Sequence, residues 1–156
     1  MEKERITVEE LLRRYAASER GFQNIILEYA DLSGVELQNI DLTEAQFNYV
    51  NLSGLNLYRC ELRGANFLNC NLREAKFFGC HLEYTRFFDC DFRGVNTSRC
   101  NLTCTHFIRV NFQGAKIGGF GEDPCRCWDI TREDGVFIPG FTFNPFISSD
   151  NTDRGV

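Results

Sequence analysis

Ala65-Asn66-Phe67-Leu68-Asn69 is followed directly by Cys70-Asn71-Leu72-Arg73-Glu74, and both blocks have one pattern. A small residue comes first, then a polar one, then Leu or Phe, then two that vary. The pattern runs from Arg20 to Gly119, twenty blocks of five. The middle residue is Leu, Phe or Ile in every block but one, where Thr97 stands. Two places earlier, after Arg20, only Ala, Val, Ile, Leu, Cys or Thr occurs. Residues two apart point to the same side of an extended chain. Each block therefore turns two side chains inward and then rounds a corner. No helix has a five-residue period, and a plain strand would keep alternating. A coil that turns every five residues and stacks on itself buries both inward positions, and each repeat draws its stability from its neighbours.

A longer period gives the number of sides. Phe47, Phe67, Phe87 and Phe107 lie twenty apart, as do Leu42, Leu62, Leu82 and Leu102, and Gly34, Gly54, Gly94 and Gly114. Twenty residues are four blocks, so a coil has four sides and residues twenty apart stack. Blocks such as Ala30-Asp31-Leu32-Ser33-Gly34 and Ala65-Asn66-Phe67-Leu68-Asn69 resemble the A-(D/N)-(L/F)-X-X signature of pentapeptide repeat proteins, over about two-thirds of the chain. The resemblance implies an all-β solenoid, a right-handed quadrilateral β-helix of about five coils (20–39, 40–59, 60–79, 80–99 and 100–119). The segment from Glu10 to Arg20 is similar to the N-terminal segment of cyanobacterial members.

Residues 1–19 read as an N-terminal helical cap. Thr7 is placed as N-cap, Glu10 completes a capping box, and Ile6 and Leu11 suit a hydrophobic staple. Val8, Leu11, Leu12, Tyr15 and Ala16 form an apolar stripe that suits a lid over the first coil. Residues 120–156 abandon the repeat after Gly118 and Gly119. They are expected to close the other end with Trp128 and to lie back along coils three to five. Thr97 is either a local dent in the core or a place where the wall opens.

The chain has 156 residues, a formal net charge of −5 and 43% hydrophobic residues, which suits one soluble domain. The opening Met1-Glu2-Lys3-Glu4-Arg5 has no apolar run behind it, so a cytoplasmic protein is expected. Cys60, Cys70, Cys80, Cys90 and Cys100 occupy the small inward position, where free Cys packs as a small hydrophobe. Cys104, Cys125 and Cys127 fall outside that pattern. They could be free thiols, could form a disulfide from Cys104 to Cys125 or Cys127, or could join His106 at a metal.

The outward residues carry the room for function. Leu68, Phe88 and Ile108 form an apolar ladder, and Tyr58 and Phe78 pair on another side. Outward apolar ladders need a cover, either the tail or a partner. Coils one and two carry net charge −3, coils three to five +3, and the tail −4. His81 and His106 are outward residues, no serine has a histidine–acid partner at recognisable spacing, and the glycines follow the corner period. No catalytic group, cofactor, metal or small-molecule substrate is expected. The reading is a non-enzymatic scaffold or protein-binding module, expected to be a monomer. The family resemblance implies an alternative, because some members mimic DNA with an acidic surface and bind type II topoisomerases such as gyrase. Direct nucleic-acid binding finds only scattered arginines.

Overall fold

A computed structural model describes residues 2–119 and 121–146. Strand β1 (Glu4–Arg5) and helix α1 (Val8–Ala16) precede the repeat. Eight strands then lie on two sides of the coils: β2 (Ile25–Glu28), β3 (Glu36–Gln38), β4 (Gln46–Asn48), β5 (Asn56–Tyr58), β6 (Asn66–Leu68), β7 (Lys76–Phe78), β8 (Arg86–Phe88) and β9 (His106–Ile108). A hairpin, β10 (Arg126–Thr131) and β11 (Phe137–Phe143), ends the described chain. One side is an eight-stranded sheet in the order β1-β2-β4-β6-β8-β9-β10-β11, and another is the three-stranded sheet β3-β5-β7. The other two sides are columns of single parallel bridges, Gly21–Asp41–Glu61–His81–Asn101 and Asp31–Asn51–Asn71–Asp91–Asn111–Thr131. Every pairing between coils joins residues twenty apart, as the second period requires.

In many blocks the polar residue makes the corner. Asp31, Asp41, Asn51, Asn71, Asp91, Asn96, Asn101 and Asn111 each accept a hydrogen bond from the backbone N–H two residues on. Such Asx turns fold the chain locally. The fifth residue takes a positive φ, as at Gly34 (67°) and Asn69 (51°). Glycine and asparagine tolerate this conformation best.

The Phe stack is as expected. Phe47, Phe67, Phe87 and Phe107 lie nearly parallel with centroids 4.7, 4.7 and 5.2 Å apart. The small inward residues do more than fill space. Thr85 and Thr105 donate to the carbonyls of Leu62 and Leu82, 23 residues earlier in each case. Cys60, Cys70, Cys80, Cys90 and Cys100 donate at the same offset, to Leu37, Phe47, Leu57, Phe67 and Phe77. Cys and Thr suit this position because they combine small volume with a donor.

Thr97 does not open the wall. It is buried, and its hydroxyl accepts from the N–H of Gly118 and donates to the carbonyl of Gly118, both at 3.1 Å. Thr97→Val keeps the shape and strands both backbone groups. A loss of about 1–3 kcal/mol is expected in chemical denaturation. An unchanged midpoint would show that the hydroxyl has no such role.

The Thr7 side chain accepts from the Glu10 N–H at 3.1 Å, and Leu11 is buried in the core. Glu10 itself turns to Arg13, at 2.7 Å. Strand β1, parallel to β2, was not anticipated.

The C-terminal end corrects the sequence reading. The helix continues past residue 119 into a sixth coil: β10 pairs in parallel with β9, and Cys125, Cys127 and Ile130 are all buried. The Cys125 thiol donates to the Leu102 carbonyl at 3.3 Å, again 23 residues earlier. Described residues 121–146 do not lie back along the coils. Strand β11 pairs antiparallel with β10 and ends the sheet. Trp128 does not close the end, because its side chain is outward and 49% exposed. Phe146 takes that place, edge-on to Phe107 and Phe112 at 5.9 and 4.9 Å. The last ten residues of the tail reading lie outside the described residues. Among the described residues, no helix is long and apolar enough to cross a membrane.

Candidate interaction face

The middle residue of each short strand points inward, so its two neighbours point outward. On the eight-stranded sheet this makes two columns. One runs Gln46, Asn66, Arg86, His106, Arg126, and the other runs Asn48, Leu68, Phe88, Ile108, Trp128. The first coils are polar here: Asn48 donates to Glu28 at 3.1 Å, and Glu28 also pairs with Arg5. From coil three onward one column turns apolar, and from coil four the other carries Arg86, His106 and Arg126. The hairpin extends both, since Phe141 lies opposite Trp128 and Phe143 opposite Arg126. The Trp128 and Phe141 rings are 5.6 Å apart, and Phe141 meets Phe143 edge-on at 4.7 Å. Leu68, Phe88 and Ile108 are half-buried, while Trp128, Phe141 and Phe143 are about half exposed.

Burial, followed by Arg126 and Arg86 on either side, holds His106 below the usual histidine pKa. Its Nε2 lies 3.5 Å from Arg126. At one rim Arg109 and Asp89 pair at 2.5 Å. Arg86 and Arg126 are exposed cations beside the aromatic column.

Tyr58 and Phe78 stack in parallel at 5.3 Å on the three-stranded sheet, across the coil from this face. Arg59 lies over the Tyr58 ring and Arg99 over Phe78. The two apolar ladders anticipated from the sequence are therefore separate surfaces, and the second has arginines over its rings.

Cys104, Cys125 and Cys127 do not converge. All three are free. Cys104 is a half-buried corner residue with φ 53°, whereas the other two face the core. Burial pushes the Cys125 thiol up to about 12 and raises Cys127 as well, so both stay protonated at neutral pH. His106 lies on the outer side of the wall from them, so the four residues cannot surround one ion. Among the described residues, no group of three or more His, Cys, Asp or Glu is placed to hold a metal. His81 sits in a corner cluster that the sequence did not suggest. Glu83 there is buried and accepts from Asn101 at 2.9 Å, and His81 lies 3.1 Å away.

A profile described as a pentapeptide repeat region matches residues 40–117, half of the chain. The chain belongs to the pentapeptide repeat family. Solved pentapeptide repeat structures that resemble it include alr5209 from the cyanobacterium Nostoc PCC 7120. That match has 21% identity, covers 78% of this chain and 98% of that one, and has a TM-score of 0.47. HetL, involved in heterocyst differentiation regulation in Nostoc sp. strain PCC 7120, is 17% identical over 85% of this chain and all of its own, with a TM-score of 0.31. QnrB1, a plasmid-mediated fluoroquinolone resistance protein, is 20% identical over 65% of this chain, with a TM-score of 0.40. The chain covers 59% of the QnrB1 chain in that comparison. No curated protein matches. Within the pentapeptide repeat fold of this chain, Trp128, Phe141 and Phe143 are the face residues that the sequence reading missed. Trp128 was findable, because it lies twenty residues beyond Ile108.

Proposed function

We propose that this chain is a non-enzymatic scaffold that binds a protein partner on the outward face of its eight-stranded sheet. The observation that carries this reading is the apolar column Leu68, Phe88, Ile108 and Trp128 beside the exposed cations Arg86 and Arg126. A rigid stack of coils presents such a surface without an ordering cost at binding. The partner surface best matched to it is apolar with acidic residues at one margin, since charge complementarity steers and orients association. A DNA-like surface would need acidic residues along the rod, whereas the basic column gives this face the opposite sign, so the topoisomerase reading is weaker.

The test is paired capture from the native cell. Phe88→Asp and Arg86→Glu should each lose the proteins retained by the parent chain, while Tyr58→Asp, on the far side, should retain them. Unchanged thermal melting would show that each variant is folded. Equal retention by all three would refute this face as the binding surface.

A further inference from the structure

The two ends of the eight-stranded sheet differ in kind. At one end β1 has two residues, both charged and exposed. Glu4 pairs with Arg14 at 3.0 Å and Arg5 with Glu28. A short, charged strand is a blunted edge. At the other end β11 has seven residues, Phe137-Ile138-Pro139-Gly140-Phe141-Thr142-Phe143, with no charge. Phe137, Phe141 and Phe143 are 56%, 48% and 54% exposed.

The backbone of β11 is half used. The N–H of Gly140 turns toward β10 and donates to the Asp129 carboxylate at 2.7 Å, and the N–H of Asn144 donates to the Cys125 carbonyl at 3.4 Å. Backbone groups alternate sides along a strand, so those of Phe141 and Phe143 face the free edge. Pro139 has no N–H, and the positive φ of Asn144 (39°) turns the chain away. The open edge is therefore a window two residues long.

We propose that this window pairs with the same window of a second copy, giving an antiparallel two-fold dimer centred on Thr142. Phe141 then lies opposite the partner's Phe143, and Phe143 opposite the partner's Phe141. Both residues at each place have free N–H and C=O groups, so four hydrogen bonds form. The absence of charge on β11 removes like-charge repulsion at the seam. The blunted β1 edge prevents pairing with β11 of another copy, so the assembly closes as a dimer and does not grow into a fibre. Phe141 and Phe143 each offer on the order of 100 Å² of exposed surface. Two copies thus bring together about 400 Å² at the seam, below the usual range for tight complexes, so the dimer is weak and concentration-dependent. Because the two-fold axis stands perpendicular to the sheet, the outward columns of both copies share one face. This pairing does not depend on the partner reading above.

Sedimentation equilibrium of the full chain over a wide concentration range is the test. The parent should move from chain mass to twice chain mass. Phe141→Lys should raise the dimer dissociation constant at least tenfold with thermal melting unchanged, while Phe88→Asp should leave it unaltered. Register is read by mild oxidation. An equimolar mixture of Phe141→Cys and Phe143→Cys chains should form an intermolecular disulfide, since hydrogen-bonded antiparallel pairs lie about 5.5 Å apart at Cα. Each variant alone should not. A chain that stays monomeric at every concentration, whether its own last residues or nothing covers the edge, overturns the proposal. So does a dimer unaffected by Phe141→Lys, or one that crosslinks equally in the single variants.

Discussion

Phe87→Ala is expected to destabilise the protein by about 3–5 kcal/mol, at the upper end for a large-to-small core change. Phe87 is fully buried, lies 4.7 Å from Phe67 and 5.2 Å from Phe107, and meets the edge of Phe92 at 4.7 Å. Removing the ring leaves a void inside a wall that cannot collapse. The strands on either side are fixed by the Arg86 N–H to Ala65 carbonyl bond and the His106 N–H to Thr85 carbonyl bond, both 2.9 Å. Lateral relaxation would break these ladders, so the cavity persists and its full cost is felt. Urea denaturation measures the loss. On the same strand Phe88→Ala, on the outer face, should cost much less. A Phe87→Ala loss below about 1 kcal/mol would show that the coils can close around the gap.

Ending the chain at Gly119 should have an effect of similar size. The sixth coil buries Cys125, Cys127 and Ile130, and Phe146 packs on Phe107 and Phe112. Burying a side chain the size of Ile130 contributes roughly 1.5–3 kcal/mol, and the smaller cysteines add less. Truncation returns these groups to water and exposes the last Phe pair together with the edge of β9. An open, apolar coil end is a template for association. The shortened chain should melt at least about 10 °C lower and aggregate on concentration. A soluble monomer melting with the parent chain would mean that the sixth coil is an ornament.

The repeat itself was legible because its two inward positions are chemically narrow. Leu or Phe at one and a small residue at the other recur with little exception from Ile25 to Ile117. Tolerance also ends there, and this is why the sixth coil was missed. Cys125, Cys127 and Ile130 keep the inward register, twenty residues beyond Thr105, Phe107 and Val110, but the intervening glycines and Pro124 break the outward pattern. The core reads only two residues in five, so a coil can persist where the motif does not. Thr97 was ambiguous for a different reason. Its partner, the backbone of Gly118, is invisible in a side-chain pattern. The candidate face divided similarly. Leu68, Phe88 and Ile108 followed from the twenty-residue period, whereas Phe141 and Phe143 joined them only through an antiparallel hairpin, whose register no parallel repeat predicts. Of the alternatives for Cys104, Cys125 and Cys127, the free thiols follow from the sixth coil, which turns Cys125 and Cys127 into the core while Cys104 stays at a corner.

The most direct test of the binding face is site-specific photocrosslinking in the native cell extract. A benzophenone side chain replaces Phe88 in one chain and Phe78, on the opposite sheet, in another. The account predicts a discrete heterologous adduct from position 88, abolished by Arg86→Glu, and none from position 78. Equal adducts from both positions, or an adduct from position 78 alone, would contradict it.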